Sequence, residues 1–208
     1  MKIRNHFVVG LVSLLVLSGC SNGPSHTGAA AIVADETIAQ QAVTSELKEV
    51  LDQITRSENQ GQGTQAGKPD AGMLGQQIVN RLVLSKLIDR ALANLKLTVT
   101  DAQVFEFQDG IYSQYGKDKV DAQLLLSQAI PASQVTNFFR LVLSEEAVAK
   151  KLAPQGSEEQ SNAAFSKYLM TLADQSNISV SPRYGSWSSD QLKVTGFDNA
   201  LSSAVPTE

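Results

Sequence analysis

Cysteine is nearly absent from this sequence. The 208-residue chain holds one, Cys20, so an internal disulfide and a CxxC redox pair are both excluded. Histidine is nearly as scarce, with His6 and His26 both ahead of the first helical pattern. A Ser-His-Asp triad, a Cys-His pair, a histidine zinc site and the histidine pair of parvulin isomerases are therefore not expected in the folded region. Basic clusters are missing too: 17 Lys and Arg are spread among 21 Asp and Glu, for a formal charge of −4. A protein that grips phosphates needs concentrated cations, so no nucleic acid is expected as a partner. No loop carries the alternating Asp/Asn ligands of a calcium site. The glycine-rich "GQGTQAG" lacks the preceding strand, the spacing and the Lys-Ser/Thr ending of a phosphate loop. No metal, no cofactor and no enzymatic activity are expected. The acidic pairs Glu145-Glu146 and Glu158-Glu159 read as helix-surface charge, since neighbours on a helix point about 100° apart.

What is present begins at the start of the chain, "MKIRNHFVVGLVSLLVLSGC". Lys2 and Arg4 precede an apolar run, Phe7 to Leu17, that is shorter than the ~20 residues of a membrane span. That is the layout of a secretory signal. "LSGC" resembles a bacterial lipobox, in which the cysteine is acylated and becomes the first residue after cleavage. The alternative is an ordinary cleaved signal with an incidental cysteine. On the lipobox reading Cys20 is the lipidation site, two or more acyl chains hold it stably at a membrane, and no thiol remains for chemistry. Residues 1–19 are then the signal and residues 20–29, small and polar, a flexible tether. The expected location is the outer side of the cell membrane.

The rest of the sequence is helical in pattern. Ala30–Val33 is a strand candidate, with Asp35 placed to cap a helix from about Glu36 to Arg56 carrying Ile38, Val43, Leu47, Val50 and Ile54. Ser57–Gly72 has no apolar residue larger than alanine and reads as a loop. Met73 to Leu95 is apolar on nearly all sides, which marks a central helix. Thr100 with Gln103 and Ser157 with Gln160 are capping boxes. Between them lie a short helix near Val120–Ala129 and a long one opened by Pro131 and stopped by Pro154. The expected fold is mainly α: about six helices over residues 30–187, then a polar tail, 188–208. "ISVSPRYGSW" (Ile178 to Trp187) is a second strand candidate with a turn. A lone strand leaves its backbone groups unpaired, so it is expected to pair with Ala30–Val33 as a two-stranded clasp. Gly185 then allows the turn that folds Tyr184 and Trp187 onto the helices.

The order of these pieces resembles the SurA-type N-terminal chaperone domain, as found in actinobacterial lipoproteins. "AAIVADETI" is similar to its opening strand and helix, "LKLTVTDAQV" to the link into its third helix, and "AIPASQVTNFFRLVLSEEAVAKKL" to its long proline-started helix. "ISVSPRYGSW" resembles the closing strand and turn. The resemblance implies a lipid-anchored chaperone that binds unfolded or extended secreted polypeptides. A non-catalytic adaptor for one envelope protein is the alternative. SurA-type and PrsA-type proteins commonly carry a parvulin isomerase domain before the closing strand. Pro154 to Asn177 has room for one helix only, so isomerase activity is not implied. Candidate polypeptide-binding residues are the aromatics off the main helical stripes, Phe105, Tyr112, Phe138 and Phe139, together with Tyr184 and Trp187. Packing between neighbouring helices is the alternative for the first four, and the preferred one. For Tyr184 and Trp187 it is capping of the core at the clasp.

Overall fold

The computed structural model describes residues 28–59 and 70–196. The expected signal, Cys20 and most of the expected tether lie outside them. The described residues form six α-helices and two small antiparallel sheets, so the mainly α fold with a terminal clasp is the observed architecture. The helices are α1 (Gln40–Asn59), α2 (Ala71–Leu95), α3 (Asp101–Tyr115), α4 (Lys117–Gln128), α5 (Val135–Leu152) and α6 (Glu158–Gln175). The capping boxes at Thr100 and Ser157 both form. Pro131 precedes a short 3-10 turn that leads into α5.

Helix α2 is central, as its all-round apolar pattern requires. It packs on α1, α5, α6 and the strands, and Ile78, Val79, Val83, Leu87, Ile88 and Ala91 are buried in the main core. A smaller core lies under α3, α4 and the first half of α5, built on Val104, Leu124, Ile130, Val135 and Phe139. Leu124 belongs to the smaller core and Leu125 to the larger.

The clasp pairs β1 (Ala29–Val33) with β3 (Ser179–Val180), Ala31 opposite Val180 and Ile32 opposite Ser179. The Ser181 amide donates to the Ala30 carbonyl at 2.8 Å and the Ala34 amide to the Ser176 carbonyl at 2.6 Å. Four details differ from the sequence reading. Asp35 caps no helix: Glu36–Ala39 is a strand, β2, folded back on the other edge of β1, and α1 begins at Gln40. Ile38 is buried as a strand residue, and its five-residue step to Val43 already departs from helical spacing. Helix reaches into both ends of the expected Ser57–Gly72 loop, since α1 runs to Asn59 and α2 starts at Ala71. The fold also reaches past Trp187. β4 (Ser186–Ser188) pairs with β5 (Lys193–Thr195), and Val194 is buried. The first residues of the expected polar tail, 188–195, thus belong to this hairpin. Nor does the tether extend to residue 29, because Ala29 starts β1 and the Gly28 carbonyl accepts from the Gln40 amide.

Gly185 has φ +121°, and a Cβ there would sit 2.0 Å from the Thr195 carbonyl oxygen. Gly110, mid-helix in α3, has no such neighbour. G185A is expected to cost at least about 2 kcal/mol through strain and overlap, and G110A to stabilise by about 0.5–1 kcal/mol. Thermal unfolding followed at Trp187 checks both.

A buried ion pair joins α1 to α2. Glu46 and Arg81 are 8% and 13% exposed and hydrogen-bonded to each other. Burial raises the Glu46 pKa, with Arg81 opposing without overcoming it. The Arg81 Nε is buried without an acceptor. Removing one partner would leave the other charge buried and uncompensated. R81M alone is expected to lose about 3 kcal/mol, and E46L/R81M to recover most of it, measured by urea unfolding.

Candidate functional site

The six aromatic candidates separate by burial. Phe139 is buried in the smaller core, with edge-on contacts to Phe107 (centroids 5.7 Å apart) and Tyr112 (6.0 Å). Tyr184 is buried against Gly75 of α2, where the glycine leaves space for the ring. Neither offers its ring at the surface. Tyr112 is half-buried, and its hydroxyl donates to Asp121 Oδ1 at 2.8 Å. Burial first, then the Asp121 hydrogen bond and charge, raise its pKa far above the usual phenol range. Lys117 pairs with the same carboxylate and stands 5.3 Å from the Tyr112 ring centre. This network closes the α3–α4 corner, so Tyr112 serves packing.

Phe105 is 54% exposed. Tyr115 is also exposed, but ten residues along α3 place it about 15 Å away on another side of the helix. Single exposed apolar residues are ordinary on protein surfaces. Trp187 is half-buried, packs on the main core and donates its Nε1–H to Ser189 Oγ at 3.2 Å. Phe138 is half-buried and is the candidate that lines a concavity.

That concavity is a groove of about 440 Å³, within the range of ligand pockets. Leu84 from α2 and Phe138, Leu141 and Val142 from α5 give it an apolar lining. Gln76, Gln77 and Asn80 of α2 and Gln128 at the end of α4 supply amides. Lys193 and Val194 of β5 form one wall. That wall is fixed in place: the Val194 amide donates to Asn80 Oδ1 at 2.7 Å, and Trp187 is the cross-strand partner of Val194.

A second concavity of about 650 Å³ continues along α5 towards α6, lined by Ala149, Phe165, Ser161 and Asn162 among others. Val142 and Glu145 line both. From Phe138 to Lys150 the two span about 18 Å of helix, which matches about five residues of extended chain. Val142 belongs to neither core, so its apolar side chain serves the groove.

Glu145 departs from the sequence reading. It is half-buried rather than a solvated helix charge, and burial alone raises its pKa. Glu146 beside it is exposed, as expected for the pair. Sequence reasoning missed the groove because its lining comes from α2, α4, α5 and β5. The legible signal was Val142 and Glu145, an apolar residue and a carboxylate one turn apart on α5. Among the described residues no three His, Cys, Asp or Glu side chains gather as a metal site, and no helix is long and apolar enough to cross a membrane.

No curated protein and no solved structure matches the chain. The family model of the SurA-like N-terminal domain matches residues 3–128, more than half of it. The matched stretch ends with α4, so α2 and α4 bring their part of the groove from inside it, and α5 and β5 from beyond. With its six helices, capping boxes and strand-tied ends, the chain belongs to the SurA-like N-terminal domain family.

Proposed function

We propose that the protein is a non-catalytic, chaperone-like binder of extended polypeptide, held outside the cell by a lipid on Cys20. Family membership supports a chaperone-type fold and polypeptide binding in general. The observation that carries the site is the pair of adjoining concavities along α5, which share Val142 and Glu145 in their lining. Apolar lining with several amides suits an extended chain, whose side chains need apolar cover and whose backbone needs hydrogen-bond partners. The clients are unfolded secreted or envelope proteins, which the secretory signal and lipobox would bring within reach. The absence of isomerase activity rests on α6, a single helix that takes up the space between Pro154 and Asn177. Both histidines lie outside the described residues. A dedicated adaptor is the second reading, favoured by the half-exposed Trp187 hairpin forming a fixed wall.

The site is tested by V142K, which fills the groove without touching either core. It is expected to weaken binding of a fluorescent unfolded polypeptide by more than about tenfold while leaving the unfolding temperature unchanged. Unchanged binding would remove the groove from consideration. Several unrelated clients bound alike point to a chaperone, and one bound alone to the adaptor.

The anchor is tested in a bacterial host. The wild-type chain is expected in the membrane fraction with a mass increase on Cys20, and C20A in the soluble fraction. A C20A chain that still sediments with membranes without modification contradicts the lipid anchor.

A further inference from the structure

Binding of an extended chain by apolar cover and amides leaves Glu145 unused. Glu145 lines both stretches of groove, one helical turn from Val142. It makes no ion pair among the described residues. The charged groups on the elements around it do not compensate it. Arg81 of α2 is committed to Glu46, and Arg140 of α5 is committed to Asp101 of α3. Lys193 of β5 is exposed at the groove wall, and Glu158 of α6 is exposed on the far side. On α5 itself Glu146 and Lys150 are exposed. Desolvation without a partner destabilises the ionised carboxylate, and burial is the cause of its raised pKa.

Resting on the groove reading above, we propose that the groove selects segments in which a lysine or arginine adjoins an apolar residue, the cation pairing with Glu145. The apolar neighbour covers Val142 and Leu141, and the aliphatic stem of the cation lies along the same apolar lining. A charge-assisted bond to a half-buried carboxylate is stronger than one to an exposed carboxylate, because less solvent screens it. An acidic residue at the same place is excluded by like charge. The groove thereby discriminates among unfolded chains while tolerating varied sequence elsewhere.

The test uses the purified protein and labelled extended peptides of about ten residues, identical except for Lys, Gln or Glu beside one leucine. Anisotropy is expected to give the Lys peptide about tenfold tighter binding than the Gln peptide, and the Glu peptide the weakest. E145Q is expected to bring the Lys and Gln peptides within about twofold of each other. The substitution keeps the shape and removes an unpaired charge, so E145Q unfolds no earlier than the wild type. Protonation abolishes the attraction, and the raised pKa puts the start of that loss at higher pH than for an exposed carboxylate. The wild-type preference for Lys therefore fades on acidification while E145Q shows no such change. Equal binding of the three peptides, or a preference that survives E145Q, overturns the proposal and leaves the groove standing. If no peptide binds at all, the groove reading falls with it.

Discussion

The pairing of β1 with β3 is the constraint on which the remaining arrangement depends. Only two residue pairs are in register, yet they bring the start of the described fold to its end across the helices between them. The Ala34–Ser176 and Ser181–Ala30 hydrogen bonds lie on either side of these pairs and satisfy backbone groups that a lone strand would leave open. With β3 held, the turn through Tyr184 and Gly185 places β4–β5 on α2. Tyr184 fills the space over Gly75, and Asn80 receives the Val194 amide. A groove wall made of β5 exists because the two ends are tied.

Helix α2 links this clasp to the site. Its buried side carries Ile78, Val83 and Leu87 into the main core, while Gln76, Asn80 and Leu84 face the groove. Helix α5 divides its surface in the same way. Phe139 and Val135 go into the smaller core, Val148 into the main one, and Val142 and Glu145 remain for the groove. Two cores on either side of α5 leave a strip of that helix uncovered, which is the physical origin of a long, shallow, partly apolar surface.

Much of this was legible in the sequence. Thr100 with Gln103 and Ser157 with Gln160 located helix starts because a capping box is a local arrangement with its own hydrogen bonds. The all-round apolar pattern of Met73–Leu95 identified the central helix, and the unpaired backbone of Ala30–Val33 and Ile178–Val180 required the clasp. Glu36–Ala39 was misread because Ile38 is buried in either conformation, and the hairpin turn at Ala34–Asp35 carries no Gly or Asn to announce it. Leu192 and Val194 are too few to signal a hairpin in a polar stretch, so β5 was missed. The aromatic candidates divide for a related reason, with Phe138 in the groove lining and others packed inside. Position off a helical stripe indicates a second buried face as readily as an exposed one, and Phe139 and Tyr112 pack in the smaller core. A groove assembled from four elements has no signature in any one of them.

Photo-crosslinking addresses the central claim most directly, with a photoreactive residue placed at Val142 and, in a separate sample, at Phe105. Mixed with an unfolded secreted polypeptide, the protein is expected to crosslink from position 142 and not from position 105. Crosslinking from Phe105 with none from Val142 would contradict the account, because the exposed aromatic on α3 rather than the groove along α5 would then meet the client.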